Sequence, residues 1–138
     1  MADESRNFDV EIITPDRIFY QGQAEMIEFN TTEGEIGVYK NHIPLTTVLS
    51  PGIVTITIHG GEEQKRKAAV HTGFAEILGD KVTILAEMAE WPDEIDVDRA
   101  KAAMERAKKR LADKRPETDI MRAELALQKS LVRINIKG

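Results

Sequence analysis

The chain has 138 residues, which is enough for one domain plus an appended element. It contains no cysteine, so disulfides, thiolate metal sites and cysteine nucleophiles are excluded. Its net charge of −5 argues against a general nucleic-acid binder. We expect no membrane-spanning helix, because no apolar run is long enough, and no signal peptide, because the start MADESRNFDV is polar.

From Phe8 to about Glu87 the sequence has the pattern of β-strands. Apolar and polar residues alternate in the runs FDVEI, VTITI and KVTI, a period of two that is typical of strands with one buried face. Gly60-Gly61 and Gly79-Asp80 predict tight hairpins, because glycine reaches positive φ at little cost. Strands separated by turns, with no helix between them, predict an all-β antiparallel sandwich or flattened barrel over residues 1–90.

The pattern changes at Trp91-Pro92. Residues 1–90 contain 7 Lys and Arg against 15 Asp and Glu, a balance of −8, whereas residues 91–138 contain 12 against 9, a balance of +3. No aromatic residue follows Trp91, and alanine becomes the commonest residue. Asp96 is predicted to cap a first helix that Pro116 ends, and Thr118 or Asp119 to cap a second.

Each predicted helix carries a narrow apolar seam. The short connection between the helices predicts an antiparallel hairpin over residues 91–138. Each seam alanine contributes far less than the ~1.5–3 kcal/mol of a buried leucine, so we expect the hairpin to be marginal alone and to behave as a two-state element. The seam residues are Val97, Ala100, Met104, Ala107 and Leu111 on the first helix and Ile120, Ala123, Leu127, Leu131 and Ile134 on the second.

The sequence lacks the motifs of nucleotide hydrolases and other enzymes. There is no GxxxxGK[ST] phosphate loop and no GxSxG, HExxH or GxGxxG motif. His42, His59 and His71 have neither cysteines nor a close spacing that would indicate a metal site, and His59 is predicted to be an exposed strand end. We therefore predict a non-catalytic protein without a metal or a tightly bound cofactor.

The run GEIGVYKNHIPLTTVLSPG, residues 34–52, resembles the signature loop of the epsilon subunit of F-type ATP synthases. Members of that family carry a pattern close to GELGIxPGHxPLLTxLxPG. The runs TPDRIFYQGQAEMI, HTGFAEILGDKVTILAEMAE and IDVDRAKAAMERAKKRL match the family in order and position, so the resemblance covers about residues 8 to 134. Lys40-Asn41 stands where the family usually has Pro-Gly, and asparagine tolerates the left-handed conformation that such a turn requires.

The resemblance implies a subunit of the rotor's central stalk, peripheral to the cytoplasmic face of the cell membrane and serving ion-coupled ATP synthesis. The sandwich would bind the gamma subunit and the ring of c subunits, with Glu35 and His42 on the interface. For His42 the simpler alternative is a hydrogen bond that only closes its own loop. The hairpin would either fold against the sandwich or extend along gamma into the alpha/beta catalytic head and inhibit ATP hydrolysis.

In several bacterial members the motif [IL]DxxRA, here residues 95–100, belongs to an ATP site that stabilises the folded hairpin. Arg99 and Arg106 share one helix face, and antiparallel pairing would bring Lys129 and Arg133 opposite them as partners for a triphosphate. Carboxylates at the junction could accept from the adenine amino group. The predicted ATP-binding residues are Glu90, Asp96, Arg99, Ala100, Arg106, Lys129 and Arg133. The alternative is that the arginines are solvated and that Asp96 only caps its helix.

Two functional hypotheses remain open at this point. The first is a stalk and regulatory subunit, and the second is a free-standing ATP-sensing module that needs no partner. An exposed apolar surface around Ile43-Pro44-Leu45 would favour the subunit, because a free sensor has no use for it.

Overall fold

The structure is a computed structural model that describes residues 6–59, 63–113 and 116–137, without the side chains of residues 59, 63 and 118. A short 3-10 turn, Pro92–Glu94, separates the strands from two helices, α1 (Val97–Ala112) and α2 (Glu117–Lys137). The strands are β1 (Phe8–Thr14), β2 (Arg17–Ala24), β3 (Met26–Thr31), β4 (Gly34–Tyr39), β5 (Leu45–Leu49), β6 (Gly52–His59), β7 (Glu63–Val70), β8 (Gly73–Leu78), β9 (Lys81–Ala86) and β10 (Ala89–Glu90).

The strands form a β-sandwich that is close to a closed barrel, followed by a helical hairpin, as predicted. Their order is β10-β7-β6-β3-β5-β8-β9-β1-β2, with β4 also paired to β3. The prediction of a purely antiparallel sheet is wrong at one place, because β1 runs parallel to β9. Strand alternation is a local signal and cannot specify a partner from the far end of the sandwich sequence.

The core follows the predicted alternation. Phe8, Val10 and Ile12 of β1 are buried, as are Val54 and Ile56 of β6. These side chains pack together with inward-facing residues of the other strands in one cluster. Since β-strand side chains point to alternate faces, the polar residues between them lie on the outside.

The predicted turns that fall within the described residues are confirmed. Gly79 has φ +61°, and Leu78 pairs with Lys81 across a two-residue hairpin. Asn41 has φ +67°, so asparagine does adopt the left-handed conformation in this turn. The Gly60-Gly61 turn and the side chain of His59 lie outside the described residues.

The first helix begins as predicted and the second does not. Asp96 caps α1, with its Oδ1 accepting from the backbone N–H of Arg99 at 3.1 Å. The second helix begins at Glu117, directly after Pro116, so Asp119 lies inside its first turn instead of capping it. An acidic residue is stabilising there because the helix N-terminus carries partial positive charge. The side chain of Thr118 is not described.

The two helices pack along the predicted alanine-rich seam, with one correction. Ala100, Ala107 and Ala123 are buried, but Leu131 is 39% exposed and the neighbouring Ser130 is buried in its place. The Ser130 hydroxyl donates to the Ala126 carbonyl at 2.8 Å, so its polar group is satisfied within the helix. The seam is therefore even thinner than the sequence pattern predicted.

The hairpin is folded down on the sandwich, where α2 packs against β6 and β7. The Trp91 ring stacks on Phe19 at 4.3 Å between centroids, and the Arg66 guanidinium lies 4.3 Å from the centre of the same ring. These contacts fix the junction between strands and helices. Neither helix, over the described residues, is long and apolar enough to cross a membrane.

Candidate functional site

A cleft of about 410 Å³ lies where the sandwich meets the hairpin. The last strand, the 3-10 turn, the first three turns of α1 and the end of α2 all contribute to it. The cleft brings together six of the seven residues predicted to bind ATP: Glu90, Asp96, Arg99, Ala100, Arg106 and Arg133. Its other lining residues are Met88, Glu94, Ile95 and Ala103.

Three arginines from two helices converge on this cleft. Arg99 and Arg106 come from α1 and Arg133 from α2, as the antiparallel hairpin requires. Among the residues that the structure describes, neither Arg99 nor Arg106 has a carboxylate partner, and both are exposed. Their charges are therefore available to an anion, and guanidinium groups bind phosphate oxygens in a bidentate geometry.

Glu90 is already bound to protein groups. Its Oε1 accepts from Arg133 Nε at 2.7 Å and lies 3.0 Å from His71 Nε2. Burial raises the pKa of the Glu90 carboxyl, but the hydrogen bonds from His71 and Arg133 outweigh burial and bring that pKa below its ordinary value of 4.5. Glu90 is thus ionised at neutral pH and ties α2 to the sandwich.

Asp96 lies at the N-terminus of α1, where its Oδ1 accepts the capping bond from the Arg99 N–H. No other bond of Asp96 within the described residues involves its second carboxylate oxygen. The cap alone explains aspartate at this position, because an N-cap carboxylate satisfies a free helix N–H group. The geometry leaves Oδ2 open to a hydrogen-bond donor.

Lys129 is the predicted residue that does not line the cleft. Its charge acts on Glu87 instead. A hydrogen bond of 2.6 Å from the Thr72 hydroxyl is the main cause that lowers the pKa of Glu87, and the Lys129 charge lowers it further. Sequence spacing placed Lys129 one turn before Arg133, but it could not give the rotation of α2 on the sheet.

Glu35 and His42 lie elsewhere, in β4 and the loop that follows it. Glu35 is exposed and pairs across the strands with Asn30. The His42 Nδ1–H donates to the carbonyl of the next residue, Ile43, at 2.7 Å. Neither side chain contributes to the cleft.

Sequence reasoning missed two residues that organise the site. His71 is completely buried next to Glu90. Both carboxylate oxygens of Glu94 accept from Arg17 Nη2 at 2.9 Å, and its Oε1 also accepts from the Trp91 N–H at 2.9 Å. These bonds hold the 3-10 turn in place. A glutamate three residues after the N-cap residue, here Trp91, is a recognisable capping signal, whereas nothing in the sequence indicated the partner of His71.

The outer face of the sandwich carries an apolar stripe, defined here as Val48, Phe74 and Leu85. These residues are cross-strand neighbours on β5, β8 and β9 and are 56%, 46% and 38% exposed. A shallow groove of about 550 Å³ runs beside Phe74 and Leu85. Ile43 in the nearby loop is 75% exposed, as was expected of this loop in a subunit.

Comparison with known proteins identifies the family. The model of the ATP synthase Delta/Epsilon chain beta-sandwich domain matches residues 7–92, and that of the long alpha-helix domain matches residues 93–138. The chain belongs to the ATP synthase delta/epsilon family. An ATP synthase epsilon chain of Brevibacillus brevis is 54% identical over 80% of this chain and 82% of its own length. One from Caldanaerobacter subterraneus subsp. tengcongensis is 44% identical over 95% and 94%.

A solved structure agrees with this family in fold. A chain in the cryo-EM structure of the Euglena gracilis mitochondrial ATP synthase, OSCP/F1/c-ring in rotational state 1, superposes with a TM-score of 0.79 at 26% identity. The match covers 92% of this chain and 78% of that one. Epsilon chains are non-catalytic stalk subunits of the rotary complex, and the relatives place this chain among them.

Proposed function

We propose that this chain links the gamma subunit to the c ring through its sandwich, and that its hairpin inhibits ATP hydrolysis unless bound ATP holds it folded down. The complex would hold the chain peripherally at the cytoplasmic face of the cell membrane. In the extended state the hairpin would reach the alpha/beta catalytic head. The observation that carries the regulatory part is the cleft in which cations from both helices meet beside Glu90 and Asp96.

The cleft supports a nucleotide ligand for reasons of charge and position. Arg99, Arg106 and Arg133 provide three guanidinium groups for a triphosphate, and Asp96 Oδ2 can accept from the adenine amino group. A triphosphate bound there would bridge α1 and α2. Because the extended hairpin would pull these groups apart, ATP would bind only the folded-down form.

The expected energy is large enough to change the state of a thin hairpin. A ligand that binds one form only stabilises it by RT ln(1 + [L]/Kd), which reaches ~2.7 kcal/mol at a hundredfold excess over Kd. That shifts the ratio of folded-down to extended hairpin by about a hundredfold. The seam of Ala100, Ala107, Ala123 and Ser130 buries little apolar surface, so such a shift can decide the dominant state.

The apolar stripe supports an obligate partner for the sandwich. Exposed Val48, Phe74 and Leu85 form a continuous row over three strands, and such a row on an isolated protein favours association. The relatives are ATP synthase chains, and the structural neighbour comes from an assembly that includes the c ring. A free-standing ATP-sensing module, the alternative, would leave this row without a use.

Titration calorimetry of the isolated full chain with ATP tests the regulatory part. We expect saturable heat in the wild type and weaker binding in Arg99→Ala and Arg106→Ala, each of which removes a charged phosphate partner worth about 1.5–3 kcal/mol. Lys101→Ala is the matched control, since Lys101 is an exposed cation on α1 that does not line the cleft. No heat at millimolar ATP would refute the ATP site but leave the subunit role standing.

Co-purification from native membranes tests the partner role. We expect the wild type to retain gamma and Phe74→Glu to lose it, because a charge in the apolar stripe cannot be buried at low cost. Glu76→Gln, on the same strand but outside the stripe, is the control. A wild-type chain that binds ATP and captures no synthase subunit would favour the free-standing sensor.

A further inference from the structure

His71 is a buried titratable residue that the proposed nucleotide site does not use. It directly follows β7, its side chain is completely buried, and its backbone N–H donates to the Met88 carbonyl at 2.9 Å. Along β7, Ala68 and Val70 belong to the sandwich core. By strand alternation Ala69 and His71 face the other side, on which α2 packs.

Over the part of the chain that the structure describes, the His71 imidazole makes one hydrogen bond. Its Nε2 lies 3.0 Å from Glu90 Oε1, and its Nδ1 is buried without a partner among the described residues. An ionised carboxylate only accepts, so Nε2 must carry the proton. A buried nitrogen without a partner costs free energy that an apolar side chain of similar size would avoid. The bond to Glu90 is therefore what histidine supplies at this position.

Glu90 passes that bond on to the hairpin. The oxygen that faces His71 also accepts from Arg133 Nε at 2.7 Å, and Arg133 Nη2 lies 3.0 Å from Met88 Sδ. An imidazole, a carboxylate and a guanidinium are thus linked across β7, β10 and α2. Other charged groups near this chain of contacts are Glu87, whose pKa the Lys129 charge helps to lower, and Glu94, which interacts electrostatically with Glu90.

We propose that His71 is a positioning residue, whose Nε2–H holds Glu90 Oε1 where it receives Arg133 and so fixes Arg133 at the cleft and α2 on the sheet. His71 itself does not line the cleft and touches no nucleotide. The inference rests on the proposed ATP site, and it adds that both ATP affinity and docking of the hairpin depend on a donor behind Glu90.

A matched pair of variants of the full chain tests the donor. His71→Gln places an N–H group near the position of Nε2, whereas His71→Leu fills the same space without a donor. We expect ATP affinity to fall about tenfold in His71→Leu, the usual effect of one lost bond to a charged group, and to stay within about threefold of wild type in His71→Gln. Equal losses in both variants, or none in either, would overturn the proposal.

The wild-type imidazole provides a second measurement that does not depend on how the variants fold. Nitrogen-15 chemical shifts of the labelled wild-type chain should show that the His71 ring is protonated at Nε2. A ring protonated only at Nδ1 would refute the proposed bond.

A distance measurement without nucleotide separates this inference from the ATP site. The chain has no cysteine, so spin labels can be attached to Asp80→Cys on the sandwich and Gln128→Cys on α2, both at exposed positions. We expect a single distance in the wild type and His71→Gln, and an added longer distance in His71→Leu. Identical distance distributions in the wild type and both variants would overturn the positioning role, even if ATP binds. A wild type that does not bind ATP would refute only the ATP site.

Discussion

At the scale of single residues, Asp96 has one established contact and one proposed contact. The capping bond to the Arg99 N–H follows from the sequence and is present in the structure. Asp96→Asn separates the two roles, because asparagine caps a helix about as well as aspartate. We expect circular dichroism to show unchanged helicity and calorimetry to show weaker ATP binding in this variant.

Asp96→Ala is the companion variant, since it removes the cap as well and should cost about 1 kcal/mol of helix stability. If Asp96→Asn binds ATP like the wild type, Asp96 is a cap and nothing more.

Through Glu90, the stability of the chain with its docked hairpin should depend on pH. The pKa of Glu90 lies below 4.5 because the hydrogen bonds from His71 and Arg133 outweigh the effect of burial. Its contribution to stability is therefore fully present above pH 4.5 and is lost as the pH falls through the lower folded-state pKa. Urea unfolding from pH 7 to pH 3 should show the stability gap between the wild type and Glu90→Gln closing in the acid range.

A gap between these two proteins that stays constant over the whole pH range would show that Glu90 does not titrate differently in the folded and unfolded states.

Much of the site was predictable residue by residue, and the reasons for the failures are physical. Helix periodicity placed Arg99 and Arg106 on one face, and the short connection placed Arg133 opposite. Lys129 misses the cleft because the rotation of α2 depends on its packing against β6 and β7, which no local pattern encodes. His71 was missed for the same reason, since its contact with Glu90 joins residues that are 19 apart in the sequence.

At the scale of elements, residues just after the predicted boundary at residue 90 contact the sandwich. The Trp91 ring packs on the sandwich core, and Glu94 is bound to Arg17 of β2. Trp91 therefore covers Phe19 of the sandwich, although the change in sequence pattern begins at this residue. In the seam of the hairpin the predicted periodicity was right except at one position, where Ser130 is buried and the predicted Leu131 is exposed.

We expect the sandwich to be sufficient for assembly. A chain that ends after Glu94 keeps the Trp91 stack and the Arg17–Glu94 ion pair, and it should fold and co-purify with gamma because the apolar stripe is intact. A chain that ends after Glu90 is the control, and it should melt at a lower temperature because Phe19 loses its aromatic partner. Failure of the longer, folded fragment to bind gamma would assign assembly to the hairpin instead.

At the scale of the whole molecule, the chain combines the proposed ATP cleft with a sequence that lacks the motifs of nucleotide hydrolases. The sequence has no phosphate loop, and among the described residues no three His, Asp or Glu side chains are grouped to hold a metal ion. We expect a preparation free of other synthase subunits to release no phosphate from ATP in a coupled assay. Turnover that a point change in this chain abolishes, such as Arg99→Ala, would contradict that expectation.

The parallel pairing of β1 with β9 sets the order in which a newly made chain can fold. β1 is synthesised first, but on leaving the ribosome it meets only β2, and an isolated two-stranded hairpin is marginal in water. The barrel can close only when β9 has emerged from the ribosome and paired with β1. Until then the nascent chain has an unpaired strand edge with apolar side chains, which makes it prone to aggregation and a suitable substrate for chaperones. The two helices follow the strands in the chain, so the surface on which the hairpin docks is synthesised before the hairpin.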